Sequence, residues 1–231
     1  MNFQKVPLAA GVWFVGVPIG TARDITLRAL DVLASADVLA AEDTRSLRKL
    51  MDIHGVPLDG RRIIALHDHS SEAVTAELLE AVRAGRSVAY ASEAGMPLIA
   101  DPGFGLARDA AAAGLVVTSA PGPSAVLTAL VLAGLPTDAF FFAGFLPNAA
   151  GARRGALERL RDVPGTLAFY EIPEACRRDA ERCRAGSGGR PACRRVSRTD
   201  KEVRRGPQGH ARGAGRRVFW RKGQRRNRCA D

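Results

Sequence analysis

The chain has 231 residues, of which 46% are hydrophobic and 25% charged, and its formal net charge is +10. This length corresponds to one large domain or two small ones, and the apolar fraction excludes wholesale disorder and a fibrous repeat. The charge is unevenly divided: residues 1–171 carry 15 basic and 18 acidic side chains, whereas residues 172–231 carry 19 basic and 6 acidic ones. We therefore expect a mildly acidic globular body followed by a basic tail.

The tail differs from the body in composition as well as charge. It holds all four cysteines of the chain and no leucine, and no two of the cysteines form a C-x-x-C pair, so a zinc site is not expected. No apolar run reaches the ~18–20 residues of a membrane span. The segment Val6–Ala22 contains several glycines and prolines, which favours a buried first strand and turn over a signal peptide. We expect a cytoplasmic protein without a membrane segment.

Short apolar segments predict strands at Gly11–Val17, Ala36–Ala41, Arg62–His67, Ser87–Ser92, Leu115–Ser119, Ala139–Phe145 and Thr166–Tyr170. Helical patterns alternate with these strands. The first predicted helix begins at an N-cap at Asp24, the third is capped by Ser71, and the fourth ends at Ala113. The second, fifth and sixth are predicted at Ser46–Ile53, Ala125–Ala133 and Arg153–Arg161, the last with Leu157 and Leu160 facing inward. This alternation is typical of an α/β fold with parallel strands and helical crossovers. After Ile172 the pattern ends, and we expect no buried strand there.

Polar or Gly/Pro-rich clusters follow five of the predicted strands, at Pro18–Gly20, Glu42–Arg45, His67–His69, Ser92–Gly103 and Pro121–Ser124. In parallel α/β folds, ligands bind beyond the carboxyl ends of the strands. An ordinary turn is the alternative explanation for any one cluster. Five clusters in succession predict a ligand site.

These clusters belong to motifs of one family. The motifs are VPIG (Val17–Gly20), DITLRAL (Asp24–Leu30), AEDTR (Ala41–Arg45), SEAGMPLIADPG (Ser92–Gly103), PGPSA (Pro121–Ala125), GLPTDAFFFAGFLP (Gly134–Pro147) and TLAFYEIP (Thr166–Pro173). Across residues 11–173 the chain resembles the tetrapyrrole methylase superfamily, in particular its branch that methylates small-subunit ribosomal RNA.

The resemblance implies two α/β subdomains with parallel or mixed sheets and S-adenosylmethionine in the cleft between them. On this basis we expect a first subdomain at residues 1–118, an incomplete second subdomain at 119–173 and a basic tail at 174–231. The resemblance further implies methyl transfer to the 2′-hydroxyl of a cytidine in 16S ribosomal RNA of the small ribosomal subunit, by a homodimer.

By the same resemblance, the cofactor contacts are expected at Pro18, Gly20, Ser92, Glu93, Ala94, Gly95, Pro97, Ile99, Ser124 and Ala125. Glycines after the strands let the backbone approach a ligand closely. Small and apolar residues of the Ser92–Ile99 loop, Leu98 among them, suit an adenosine slot. A tight turn is the alternative role for each of these residues.

Catalytic roles are expected for Glu42, Asp43, Arg45 and His67. A carboxylate among them would accept the ribose proton and Arg45 would hold a phosphate, but the sequence does not identify the base. Asp43 alternatively caps the next helix, and the His67–His69 cluster alternatively forms a plain loop or an RNA contact. No metal is expected, because no further ligand has diagnostic spacing. Basic side chains for RNA are available at Arg45, Arg48, Lys49, Arg61 and Arg62.

The chain departs from the family at several positions. Glu93 and Met96 stand where the family has Asp and Thr, and Thr21-Ala22 replaces Asn-Leu. From about residue 172 the family text gives way to an Arg/Gly/Ala/Pro/Cys mixture, typical of a GC-rich gene read out of frame. We interpret this as a frameshift, which resequencing of that DNA tests. The alternative functions are a precorrin-type methyltransferase and an inactive remnant whose basic tail binds RNA.

Overall fold

The structure is a computed structural model that describes residues 2–171 and the backbone of residues 195–199, 202–204 and 217–222. The chain forms two compact units, residues 1–124 and 125–231. The boundary between these units lies after Ser124, because the last strand of the first sheet and the loop that follows it extend to that point.

The first unit is built on a five-stranded sheet. Its strands are β1 (Gly11–Val15), β2 (Val38–Ala41), β3 (Ile63–Ala65), β4 (Ser87–Ala91) and β5 (Val117–Ala120). They are ordered β3-β2-β4-β1-β5, and every neighbouring pair is parallel. All five residues of β4 are buried, as expected for a central strand that is covered on both faces.

Helices cover both faces of this sheet. They are a short 3-10 helix (Ala22–Asp24), α1 (Leu27–Ser35), α2 (Thr44–Ile53), α3 (Glu72–Arg83) and α4 (Phe104–Ala112). Val15 packs with α1 and α2 in one core cluster, whereas its strand neighbour Phe14 packs with α3 and α4 in the other. This division follows from the alternation of side chains along a strand. In the described part of the chain, no helix has the length and apolar character that crossing a membrane requires.

The parallel arrangement puts the carboxyl ends of all five strands at one edge of the sheet. The segments that leave this edge are residues 16–20, 42–43, 66–70, 92–103 and 121–124. We call these five segments together the rim. The rim coincides with the polar and Gly/Pro-rich clusters that the sequence singled out, so the predicted convergence of the clusters at one edge is confirmed.

The second unit contains α5 (Ala125–Ala133), β6 (Phe140–Phe145), α6 (Ala150–Arg159), β7 (Thr166–Glu171), β8 (Arg195–Thr199), β9 (Glu202–Arg204) and β10 (Arg217–Lys222). The strand order is β6-β7-β10-β8-β9. β6 and β7 are parallel, and the remaining pairs are antiparallel. The structure therefore confirms the α/β fold, with one parallel and one mixed sheet.

One expectation for this unit is corrected, and one stays a prediction. The backbone of the tail forms β8, β9 and β10, and β10 pairs with β7, so the sheet continues by backbone hydrogen bonds. The burial of these strands lies outside what the structure describes, so the expectation that the tail holds no buried strand stays a prediction. On α6 the buried side chain is Arg153, while Leu157 and Leu160 are half-buried. The reason is an ion pair between Arg153 and the buried carboxylate of Glu171, which turns this face of the helix inward.

Candidate functional site

The segments after β1 and β4 are joined by a pair of backbone hydrogen bonds. The N–H of Val17 donates to the carbonyl of Gly95, and the N–H of Gly95 donates to the carbonyl of Val17, both at 3.0 Å. Gly95 takes a left-handed φ of +82°, which favours glycine at this position. Pro18 and Pro97 are both buried beside this bridge, and Gly20 is half-buried. The two predicted cofactor loops thus form one connected wall.

The segment after β5 joins this wall through contacts that leave no room for a side chain. A Cβ on Gly16 would lie 2.7 Å from both Cα and N of Gly122 and 2.7 Å from Sδ of Met96. The N–H of Gly122 donates to that sulfur at 3.2 Å. We call Gly16, Met96 and Gly122 the glycine junction. It brings the ends of β4, β1 and β5 together, and these are three adjacent strands.

The loop after β4 carries a polar group with no partner. Ser92 is 4% exposed, and its Oγ has no hydrogen-bond partner in the described part of the chain. A buried hydroxyl without a partner is costly, so the position calls for a ligand or water that completes it. Further along, Leu98 and Ala100 have φ of 71° and 59°, in the left-handed region that non-glycine residues rarely adopt. Strain of this kind collects at binding loops.

Glu42 contacts the same loop from the end of β2. Its Oε2 accepts the backbone N–H of Glu93 at 2.9 Å, across 51 residues of sequence. The side chain of Glu93 itself is exposed, and Ala94 is half-buried. Four segments of the rim are therefore connected: those after β2, β4, β1 and β5.

Asp43 is the N-cap of α2, which was the alternative role considered for it. Its Oδ1 accepts the backbone N–H of Arg45 at 2.8 Å and that of Ser46 at 3.4 Å. The hydrogen bond from the Arg45 amide is the largest cause of a lowered pKa of this carboxyl, with the Arg45 and Ser46 contacts adding to it. The Arg45 side chain is 91% exposed and reaches into solvent beside the rim.

His67 lies apart from the glycine junction. It follows β3, the edge strand on the side away from β5, and β2 lies between β3 and β4, so two strand spacings of roughly 4.8 Å each separate β3 from β4. Its ring is exposed and lies 6.3 Å from the ring of His69, centroid to centroid. The Ser70 hydroxyl accepts the His67 backbone N–H at 2.9 Å, which is a loop contact.

The basic residues proposed for RNA are not equivalent. Arg61 donates to the carbonyl oxygens of Leu58, Leu33, Ala36 and Pro57 at 2.7–3.0 Å, so its guanidinium holds the end of α1. Arg62 pairs with Glu77. Both precede β3 and lie at the edge of the sheet opposite the rim. The basic side chains that remain near the rim are Arg45, Arg48 and Lys49 on α2, all exposed.

The last predicted cofactor residues lie at the boundary of the units. Ser124 is half-buried and ends the first unit, whereas Ala125 begins α5 of the second. A Cβ on Gly95 would lie 3.6 Å from the carbonyl oxygen of Pro123, so this segment also borders the wall. Ile99 is 41% exposed at the outer side of the β4 loop.

Two functional residues were not predicted from the sequence, Gly16 and Met96. A glycine at the next-to-last position of the apolar run Gly11–Val17 was the available signal for Gly16, since close backbone contact requires it. Met96 was noted only as a departure from the family. Nothing in the sequence shows that its sulfur accepts an amide N–H.

Two surface depressions of about 510 and 150 Å³ lie at the opposite edge of the first sheet, around Asp37 and Arg61. Several charged groups that line them are paired within the protein: Lys5 pairs with Asp59, and Asp37 accepts both the N–H and the hydroxyl of Ser87. They are not part of the rim. Among the described residues, no group of three acidic, histidine or cysteine side chains is placed to hold a metal.

A parallel α/β sheet whose strand ends converge on a glycine junction, beside a buried hydroxyl that has no partner among the described residues, is typical of ligand-binding α/β proteins. The profile of the Tetrapyrrole (Corrin/Porphyrin) Methylases matches residues 11–211. Proteins named ribosomal RNA small subunit methyltransferase I are similar to the chain. The one from Mesorhizobium japonicum is 46% identical over 87% of this chain and 68% of its own length, and that from Halalkalibacterium halodurans is 38% identical over 89% and 71%. The one from Escherichia coli O157:H7 is 45% identical over 69% of this chain and 55% of its own length.

The chain belongs to the tetrapyrrole methylase family, within its ribosomal RNA small subunit methyltransferase I group. Solved structures agree on the fold. Diphthine synthase superposes with a TM-score of 0.65 at 13% identity, covering 92% of this chain and 89% of its own. Uroporphyrin-III-C-methyltransferase from Thermus thermophilus superposes with a TM-score of 0.54 at 22% identity, covering 92% and 93%.

The profile match continues to residue 211, beyond Pro173, where the motifs read from the sequence end. Residues 172–194, in which the frameshift was predicted to begin, lie outside the described residues, and that hypothesis stays a prediction.

The cofactor of this methylase family is S-adenosylmethionine, as the resemblance implied. The residues present fit it. The buried Ser92 hydroxyl has no hydrogen-bond partner among the described residues, so it is open to one from a ligand, and the glycines of the junction let neighbouring backbones approach closely. Polar backbone groups in an apolar surround are the usual way to orient such a ligand.

We expect Gly16→Ala to weaken S-adenosylmethionine binding at least tenfold, because its Cβ would push the ends of β1 and β5 apart. Isothermal titration calorimetry measures this. Gly105→Ala is the matched control, since that glycine lies in α4 with nothing within 4 Å of its Cβ position, and it should bind as the wild type does. Equal affinity for all three proteins would contradict the importance of the junction.

We expect Asp43→Ala to lower the free energy of unfolding by about 1 kcal/mol at pH 7, because it removes the cap of α2. The folded-state pKa of Asp43 is lowered, so its stabilisation is present above the ordinary value of 3.8 and is lost as the pH falls through the folded pKa. The difference in unfolding free energy between wild type and Asp43→Ala should therefore narrow as the pH falls below 3.8.

Asn is an equally good cap, so Asp43→Asn should lose less stability than Asp43→Ala. The chain has two tryptophans, Trp13 in the first unit and Trp220 in the second. Urea unfolding is therefore followed by tryptophan fluorescence in proteins that also carry Trp220→Phe, so that the signal comes from Trp13 alone. A gap of constant size across this pH range would show that the carboxylate does not carry the effect.

Proposed function

We propose that the chain is an S-adenosylmethionine-dependent methyltransferase that methylates the 2′-hydroxyl of a cytidine in 16S ribosomal RNA, in the cytoplasm. The observation that carries the proposal is the connected rim, with an unsatisfied Ser92 hydroxyl beside the glycine junction, in a chain whose relatives are named for methylation of small-subunit ribosomal RNA. The chain spans 68% and 71% of two of these relatives and 55% of a third, so their activity is carried over as a proposal.

S-adenosylmethionine supplies, when bound, a methyl group on a positively charged sulfur. The task of the protein is then to position that group against the hydroxyl and to exclude water. The Val17–Gly95 bridge and the glycine junction hold the backbone of the wall rigid. Ser92 offers its open hydrogen bond, and buried Pro97 contributes apolar surface.

The hydroxyl must also lose its proton. Asp43 is poorly suited to accept it, because its oxygens are engaged as a helix cap and its lowered pKa makes it a weaker base. Glu42 has one oxygen engaged with the Glu93 amide. His67 is exposed and follows the edge strand β3, so it is accessible to RNA but lies away from the glycine junction. Arg45, exposed beside the rim, is placed to hold a phosphate.

RNA binding needs positive charge, because the RNA phosphates are negative. Since residues 1–171 are slightly acidic overall, that charge must come from a local group of basic side chains. Exposed Arg45, Arg48 and Lys49 on α2 supply it next to the rim, since α2 begins there. Sequence-specific recognition of RNA uses splayed single-stranded bases and the 2′-hydroxyl, which fits methylation of a ribose.

The decisive experiment incubates small ribosomal subunits that lack the modification with the protein and S-adenosylmethionine. Nuclease digestion followed by mass spectrometry should then detect 2′-O-methylcytidine in the 16S RNA. Gly16→Ala serves as the impaired control and Gly105→Ala as the active one. Methyl transfer to a tetrapyrrole in a parallel assay, with none to RNA, would favour the precorrin-type alternative. Binding of RNA without binding of S-adenosylmethionine would favour the inactive remnant.

We also propose that the protein is a homodimer. Leu127 and Val131 lie four residues apart on α5, on one face of the helix, and are 52% and 81% exposed. A helix that is apolar all round is normally covered. We expect light scattering to give twice the mass of 24.5 kDa, and Val131→Glu to shift the protein towards the monomer. A monomeric wild type at micromolar concentration would contradict the dimer.

A further inference from the structure

We propose that Glu42 is a positioning residue for the cofactor loop, acting through the backbone amide of Glu93, and is not the base of the reaction. The inference rests on the proposed function for the identity of the cofactor. It rests on the described contacts of Glu42 for everything else. It revises the catalytic role that the AEDTR motif suggested for this residue.

Glu42 contacts the end of β4 with both its backbone and its side chain. Its N–H donates to the carbonyl of Ala91 at 3.0 Å, which continues the register of Ala41 with Ala91 in the sheet. Two residues further along the chain, in the loop that follows β4, its Oε2 accepts the N–H of Glu93 at 2.9 Å. β2 and β4 are direct neighbours, so the side chain only has to bridge one strand spacing.

This contact holds the loop at a defined point. Hydrogen bonds hold residues 92–95 at two places. Glu42 accepts the Glu93 amide, and Val17 bonds to both the amide and the carbonyl of Gly95. Ser92, with its open hydroxyl, directly precedes the first tie. Without Glu42, the described contacts that remain lie at Gly95 and Met96, and the residues before Gly95 can move away from the ligand.

The strain further along the loop makes such a tie necessary. Leu98 and Ala100 occupy the left-handed region, which persists only where the surroundings hold the backbone in place. Glu42 supplies such a contact, because its side chain accepts the Glu93 amide from the neighbouring strand.

The two roles make opposite demands on the side chain. A base needs a free carboxylate oxygen and is lost on replacement by an amide. A positioning residue needs only an acceptor of the right reach, and the amide oxygen of Gln provides one. The variants Glu42→Gln and Glu42→Ala therefore separate the roles, and Glu77→Ala is the control, because Glu77 is an exposed acidic residue that pairs with Arg62 away from the rim.

The first measurement is hydrogen exchange of the full-length protein without cofactor, resolved at the Glu93 amide. We expect exchange at this amide to be at least tenfold faster in Glu42→Ala and nearly unchanged in Glu42→Gln and Glu77→Ala. This measurement does not depend on the proposed function. If the Glu93 amide of Glu42→Ala exchanges as slowly as that of the wild type, the inference is wrong.

The second measurement is calorimetric titration with S-adenosylmethionine together with methyl-transfer kinetics. We expect Glu42→Ala to weaken binding about tenfold, and Glu42→Gln to retain both affinity and kcat within about threefold. If Glu42→Gln binds normally but loses a hundredfold or more in kcat, Glu42 is the base and the inference is wrong. If the wild type does not bind S-adenosylmethionine, the proposed function fails, and the exchange at Glu93 still decides the positioning role.

Discussion

The close approach of two backbones, at Gly16 and Gly122, is the constraint on which the rest of the rim depends. A Cβ on Gly16 would lie 2.7 Å from the Gly122 backbone, so the ends of β1 and β5 come together only because neither residue has a side chain. The sheet makes this approach possible, because parallel strands deliver their carboxyl ends to one edge. Met96 then closes the junction by accepting the Gly122 amide.

From this point the other segments are joined in sequence. The Val17–Gly95 bridge connects the end of β1 to the loop after β4, and Glu42 connects that loop to the end of β2. Only the segment after β3 has no described side-chain contact with the others, and β3 is the strand farthest from the junction. The connected part of the rim is also the part that contains Ser92, whose buried hydroxyl has no described partner. A rigid wall around one open polar group is what a bound ligand requires.

Much of the fold could be predicted from the sequence. The strands of the first sheet and α5 follow from hydrophobic periodicity, and their shared edge follows from the strand–helix alternation. The strands of the tail could not be predicted, because β10 joins the sheet through backbone hydrogen bonds that a weak apolar pattern does not reveal. The inward Arg153 was likewise hidden, since its ion pair with Glu171 depends on a contact between distant residues. In the candidate site, the residue types could be predicted, but the contacts of each side chain could not. Asp43 caps a helix, which the sequence left open beside a catalytic role, and Arg61, which the sequence offered only as a basic residue for RNA, donates to four carbonyls.

The two departures from the family motif in the loop after β4 are explained by what each position contributes. At Glu93 the contribution is the backbone N–H given to Glu42, while the longer side chain is exposed, so the extra methylene extends into solvent and leaves the wall unchanged. At Met96 the contribution is an acceptor for the Gly122 amide, and the flexible thioether reaches it in the narrow space beside Gly16. The backbone contacts that shape the rim are thus kept although the side chains differ. A residue that makes its contact through the main chain can be replaced without losing that contact. A residue that makes its contact through the side chain cannot.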